Sequence, residues 1–279
     1  MTDRPSYLRV FGTFARNSLV RDMSFRSNFV IDAVSSLTWM LMNLGFYLLI
    51  FSYTDSIGDQ TGWGKFQFFT FLSTTLFINS IVQAFFMPNA EEFSELIRTG
   101  QLDFALLKPI DTQFLISLGK IEFSSLANFL FAGVLMGFSL WKMHEQGELA
   151  LSWVQAVLYP AYVLCGVGLL YSLMIGLAAT SIWLGRNTSL YDFWFYITNF
   201  SRYPMEIYKG PWGTPLQKFF TFVIPVLIVV NVPARLMAWP LEAQNWPLVL
   251  FALVATLGSL LVSRWIFNRA LFSYRSASS

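Results

Sequence analysis

Residues Ala90–Pro109 read AEEFSELIRTGQLDFALLKP, a charged stretch between two apolar runs, Phe66–Met87 and Phe123–Trp141. Each run is long enough to cross a bilayer, which needs about 20 residues at 1.5 Å rise. The stretch between them reads as a short helix. Phe93, Leu96, Ile97 and Leu102 fall on one side, while Glu92, Glu95 and Arg98 stay polar. Glu91, Glu92 and Glu95 would sit in the first turn, at the positive end of the helix dipole. Thr99-Gly100 supplies the stop, because glycine takes positive φ cheaply. Two readings of such a helix stand: it rests on lipid headgroups, or it docks a soluble partner.

Working outward, the chain of 279 residues is 55% hydrophobic and 12% charged, with a mean hydropathy of +0.54. A soluble domain carries roughly 25% charged residues. Half that share, with several uninterrupted apolar runs, means an all-α integral membrane protein. The 29 Phe, 10 Trp and 11 Tyr suit lipid-facing surfaces and interface belts, or a greasy path. A net charge of +2 is too small to point to nucleic acid. The lone Cys165 excludes an internal disulfide.

Read in order, residues 1–28 form a basic amphipathic interfacial helix. Arg4, Arg9, Arg16, Arg21 and Arg26 are spread through it, with no central apolar stretch of a signal peptide. Six spans follow, at 29–53, 66–87 (ended by Pro88), 114–141, 152–185, 189–207 and 246–268. The charge-free run 149–185 is read as one long helix, bent at Pro160 or near Gly166 and Gly168. The Gly/Pro-rich stretch 208–240 contains an apolar piece, Phe219–Asn231, too short to span. It suits a re-entrant pair of half-helices on the outer side. With both termini inside, twelve of the 18 Lys and Arg fall on the inner side and six on the outer, which obeys the positive-inside rule. Paired glycines Gly133/Gly137 and Gly166/Gly168 read as places where helices approach closely.

The chemistry legible in the chain is mostly negative. There is no G-x-x-x-x-G-K-[ST] stretch to hold nucleotide phosphates. The one histidine, His144, stands without a metal-ligand cluster, so no metal site is expected. No serine lies in G-x-S-x-G, and no catalytic residue is expected. Asp32, Lys120, Glu122, Asp192 and Glu206 lie near span ends, where they read as anchors or local pairs. Asn43, Asn79, Gln83, Asn128 and Asn199 reach deeper. Hydrogen-bonding glue between helices is the plainer reading, and path lining the other. As path lining, the set is Asn43, Tyr47, Asn79, Gln83, Asn199 and Tyr203.

The run ELIRTGQLDFALLKP resembles a segment that marks the ABC-2 type permease subunits of bacterial ABC transporters. It carries Ile97, Arg98, Thr99, Gly100, Leu102, Asp103, Leu106, Lys108 and Pro109 at the family's positions. RYPMEIYKG at Arg202–Gly210 is similar to a second family segment, and the likeness covers about Phe25 to Arg269. The resemblance implies a single permease domain over 1–279 with six transmembrane helices of type V exporter-like architecture. It implies that 90–109 is a coupling segment seated in an ATP-binding subunit, through Glu91, Glu92, Glu95, Leu96, Ile97, Arg98, Thr99, Gly100, Gln101, Leu102 and Asp103. It implies that 208–240 closes the exit, with Phe219, Phe222, Pro225 and Asn231 as an outer gate. On that reading, excising Phe219–Asn231 abolishes transport and spares binding of the ATPase subunit. The implied partners are two ATP-binding subunits that hold the ATP and Mg, a second permease subunit (identical or related), and membrane lipids. The implied location is the bacterial cytoplasmic membrane, multi-pass, with both termini cytoplasmic. The implied function is ATP-driven export of a lipophilic or amphipathic substrate. The rivals are a stand-alone channel or secondary transporter, and a scaffold that transports nothing.

Overall fold

The structure, a computed structural model, describes residues 6–24, 26–58, 61–149, 151–184, 189–240 and 246–274. Arg4, Gly185, Arg186 and Arg275, on which parts of the sequence reading fall, lie outside the described residues. Twelve α-helices make up the described chain: α1 Tyr7–Ser24, α2 Arg26–Ile50, α3 Lys65–Phe85, α4 Met87–Arg98, α5 Leu102–Leu106, α6 Thr112–Leu118, α7 Leu126–Glu145, α8 Trp153–Leu184, α9 Ser189–Asn199, α10 Gly213–Lys218, α11 Leu227–Ala238 and α12 Trp246–Ser273. Five stretches are long and apolar enough to cross a membrane: Ser27–Ile50, Lys65–Arg98, Phe123–Glu145, Trp153–Leu184 and Trp246–Ser273. A sixth is reached if the pair Gly213–Val223 and Leu227–Ala238, bent by 91°, is one broken span.

The axis of the bundle is α8, which packs against α12, α11, α3 and α4. It is one long helix with Pro160 inside it, as its charge-free run suggests. Gly166 is needed for the packing, because a Cβ there would meet the Val229 carbonyl oxygen at 2.6 Å and Ile78 at 2.9 Å. Gly133 and Gly137 serve no such approach: a Cβ at Gly133 would only graze Phe77 at 3.9 Å, and one at Gly137 would meet nothing. Nearly every residue of α11 is buried, as expected for a helix apolar on all sides. Two tyrosine hydroxyls bond across helices: Tyr162 donates to the Val249 carbonyl at 2.9 Å, and Tyr159 pairs with Thr74 at 3.1 Å.

Three sequence expectations are corrected. Pro88 does not end the second span. It sits in the first turn of α4, where a missing N–H costs little, and α4 follows α3 with only Phe86 between them. The helix therefore starts at Met87, and its first turn holds no acid. Glu91 and Glu92 are one turn too far in for the dipole argument.

The third span does not begin at 114. Residues Thr112–Leu118 form the separate α6, capped by Asp111, which accepts from the Phe114 N–H at 2.9 Å. The chain then runs without helix from Lys120 to Glu122. Its backbone there is held from outside. The Lys120 N–H donates to Asn89 Oδ1 at 2.8 Å, and Asn89 Nδ2 donates back to the Lys120 carbonyl at 2.7 Å. The Ile121 N–H donates to Ser18 Oγ at 3.0 Å, and Arg21 donates to the Ile121 carbonyl at 3.2 Å. The Glu122 N–H donates to the Ala84 carbonyl at 2.8 Å, the very group that Pro88 leaves without its i+4 donor. The Phe123 N–H donates to Asp22 at 3.3 Å.

The fifth span, read over 189–207, is not one helix. α9 has 11 residues, about 16 Å of rise against the ~30 Å of a bilayer core. A 3₁₀ turn follows at Phe200–Arg202, and Tyr203 is extended at φ −125° and ψ 150°. Pro204 imposes that conformation on the residue before it.

Two stability tests follow. Asn89→Ala leaves the Lys120 N–H and C=O without their partners, at about 1–3 kcal/mol for each such buried group. A fall in melting temperature on the order of 5 °C is expected in detergent, and unchanged melting would contradict the clamp. The second test concerns acid. Hydrogen bonds from Arg264 hold the Asp111 carboxyl below the usual carboxylate range, aided by the Phe114 N–H and opposed by partial burial. A depressed folded pKa gives stability that is present above about pH 4 and lost as pH falls through the folded value. Melting followed from pH 7 to pH 3 should therefore show a smaller acid loss in Asp111→Asn than in the wild type.

Candidate functional site

α12 is long and apolar enough to cross a membrane with residues to spare. Its 28 residues rise about 42 Å, more than the ~30 Å core needs. Trp246 and Trp265 are both exposed, and 19 residues put them about 28 Å apart along the helix, the spacing of two interfacial belts. Residues 266–273 form the last two turns of α12. Phe93 of α4 packs on Phe267 there, ring centroids 5.9 Å apart. A small core gathers Phe93, Leu102 and Ala105 with Ile175, Ala178, Ala179 of α8 and Phe267, Ala270 of α12. The central segment is thus braced on the C-terminal parts of α8 and α12.

Within that segment the sequence reading of an apolar side holds: Phe93 and Leu102 are buried, and Leu96 and Ile97 pack around them. Gly100 takes φ 71° between α4 and α5. The acids are engaged within the chain. Glu92 pairs with Lys120 at 2.8 Å, and Glu95 pairs with Arg98, Nε to Oε2 at 2.8 Å. Asp103 lies beside the Tyr274 hydroxyl, whose pKa is raised by burial first and by that carboxylate second. Glu91, Thr99 and Gln101 are exposed. What the sequence reading missed is Phe104 and Leu107, 70% and 81% exposed. The signal was available: with Leu102 and Ala105 facing inward, helical spacing turns Phe104 and Leu107 outward.

A second latch holds this end. Arg264 of α12 forms an ion pair with Asp111 and donates to Gln113 Oε1 at 2.8 Å. Gln113 donates to the Tyr171 hydroxyl at 2.8 Å, which also meets Ser117 at 2.9 Å. Ser94 of α4 meets Ser181 of α8 at 3.1 Å. These contacts tie α4 and α6 to α8 and α12.

Where α1, α2 and the start of α4 meet the 120–125 stretch, a cavity of about 760 Å³ opens, walled by Arg21, Asp22, Asp32, Glu91, Lys120 and Glu122. Burial raises the Glu122 pKa, and the carboxylates of Asp32, Asp22 and Glu91 add to the shift. It adjoins a second cavity of about 490 Å³, the two sharing Ser35, Ser36 and Gln83. The structure places Asn43, Tyr47, Asn79, Gln83 and Tyr203 around the second cavity, with Asn128, Trp39, Phe131 and Arg202. Asn199 is not among its lining residues. The Asn43 amide donates to the Trp39 carbonyl of its own helix at 2.8 Å and not across to another helix.

The four residues read as an outer gate do not come together. Phe219 and Phe222 are exposed, Phe222 lies on Phe251 of α12 at 5.1 Å, and Pro225 is half-buried. Asn231 is wholly buried, accepting from the Met205 N–H at 2.8 Å and donating to the Leu227 carbonyl at 2.7 Å. It pins the turn after Tyr203 to α11. Leu227–Ala238 belongs to the core, so excising Phe219–Asn231 removes packing as well as any gate. Next to it, Glu206 pairs with Arg235 and accepts from the Trp63 indole N–H at 2.9 Å. Gln155 donates to the Leu236 and Trp239 carbonyls at 2.8 and 2.7 Å. Among the described residues no group of His, Cys, Asp and Glu is placed to hold a metal ion, and His144 lies exposed in the last turn of α7.

The family described as ABC-2 family transporter protein matches residues 37–278. Comparison with curated proteins and with solved structures gives no match. The family match takes in α4–α6, all of the 490 Å³ cavity's lining but Ser35 and Ser36, and every apolar span but the start of the first. The chain therefore belongs to the ABC-2 transporter family: it is a multi-pass membrane protein, the permease subunit of a transporter, of a kind that has no ATPase site of its own.

Proposed function

We propose that this permease is the membrane half of an ATP-driven exporter that moves a lipophilic or amphipathic molecule out of the cytoplasm or the inner leaflet. The observation that carries the reading is the α4–α5 projection. It keeps its apolar side in a core shared with α8 and α12, and offers Phe104 and Leu107 to the surroundings. Large exposed apolar side chains on a braced projection mark an interaction site. An ABC ATP-binding subunit, holding ATP and Mg, is the partner that family membership implies.

Two such subunits and a second permease subunit complete the proposed assembly. α2 suits a shared face, since only Met40 and Tyr47 among its large apolar residues are buried within the chain. The α4–α6 end and both termini would be cytoplasmic, in a bacterial inner membrane. Closure of the ATP-binding subunits would push on Glu91–Asp103 and on Phe104 and Leu107. The Arg264–Asp111 latch and the Ser94–Ser181 contact would pass that push to α12 and α8. A partner with equal affinity for both states would shift nothing, so the projection must be gripped differently in the two nucleotide states.

The test is purification of the native complex from membranes. Phe104→Ser/Leu107→Ser changes two exposed side chains and should leave melting unchanged. It is expected to lower recovery of the ATP-binding subunit, or its stimulated ATPase turnover, by tenfold or more. Arg98→Glu/Asp103→Lys should do the same. A permease that comes out alone, or variants that match the wild type, would count against an exporter and favour a channel or a scaffold.

A further inference from the structure

Three carboxamides face a cavity without a protein partner. Asn79 and Gln83 on α3 and Asn128 on α7 line the 490 Å³ space, and none of the three has a hydrogen-bond partner among the described residues. Asn128 is only 8% exposed. The same wall carries Thr75 and Ser80, whose hydroxyls donate to the carbonyls of Phe71 at 3.0 Å and Leu76 at 2.6 Å. Their oxygens keep acceptor capacity toward the cavity. Polar groups left unpaired inside an apolar layer are costly and mark a functional site. Had they served only as glue, they would have reached across to another helix.

The charge pattern narrows what they hold. No carboxylate lines this cavity, and its one formal charge is Arg202. The acids Asp32, Glu91 and Glu122 line only the adjoining cavity. A permanent cation therefore meets no anionic partner at the carboxamides. Each carboxamide presents donors and an acceptor side by side, which suits a group that also offers both without charge. Hydroxyls do so. Trp39, Met40, Leu72 and Leu76 add apolar surface beside the polar wall, so one ligand can place a polar head and an alkyl tail together.

We infer that this cavity binds an amphipath through an uncharged, hydroxyl-bearing head, held by Asn79, Gln83 and Asn128. That such a molecule is the exported cargo rests on the exporter reading above; the binding itself does not.

The experiment uses the purified complex in lipid nanodiscs and two labelled probes of equal tail, decyl glucoside and decyltrimethylammonium, each below its micellar concentration. Decyl glucoside is expected to bind saturably, and Asn79→Leu/Asn128→Leu is expected to weaken that binding by tenfold or more. The ammonium probe should bind more weakly and be indifferent to the change. Leucine keeps asparagine's γ-branched shape, both positions line the cavity that can take its larger methyl groups, and only unpaired polar groups are removed, so melting should hold or rise. Gln83→Leu, at an exposed position, is a gentler variant that should weaken the glucoside about threefold. Equal partitioning of both probes into wild type and variants would overturn the inference. So would tighter binding of the ammonium probe that is lost in Asp32→Asn. Recovery of the ATP-binding subunit, scored on the same preparation, reports separately on the exporter reading.

Discussion

The structure depends on how one short non-helical segment satisfies its backbone. Between α6 and α7, every N–H from Lys120 to Phe123 finds an acceptor outside the segment: Asn89, Ser18, the Ala84 carbonyl and Asp22. These four come from α1, α3, α4 and the residues around them, so one stretch of chain locks the amphipathic helix, the second span and the central projection together. Near a membrane no spare water stands ready for an unpaired peptide. The clamp therefore fixes geometry as well as adding stability. Pro88 is the other half of it, because the carbonyl it leaves open is the one that Glu122 needs.

The same accounting separates the polar residues of the interior into two kinds. Asn89, Asn231, Gln155 and Gln113 each bridge elements distant in sequence, to backbone or to a side chain. They are structural. Asn79, Gln83 and Asn128 bridge nothing among the described residues and face a cavity. Residue type does not divide them, since all seven are carboxamides. What divides them is whether a backbone group lies within reach when the helices have packed.

For the transporter, the arrangement ties a projection to a path. α4–α5 stands on the ends of α8 and α12, and the cavities lie on the other side of α3 and α4. The projection is joined to α8 and α12 by packed side chains and two polar latches, and to α3 by the single residue Phe86. The corresponding cap at the far end, Trp63, Glu206, Arg235 and Gln155, holds the bent pair against α8.

By itself the sequence determined the membrane class, three of the spans within a few residues, the single long α8, and the apolar side of the central helix. These follow from charge-free length and from helical spacing, which are local properties of the chain. It also carried enough motif to place the chain in its family. Only the tertiary structure decided where Pro88 and the 120–123 segment break or continue a helix, because the deciding partners are Asn89, Ser18 and Ala84. Nor could local pattern foresee that Asn231 is buried in a clamp while Asn128 looks into a cavity. A carboxamide has the same hydrogen-bonding groups wherever it stands, and its role is set by which backbone groups the packed helices bring to it.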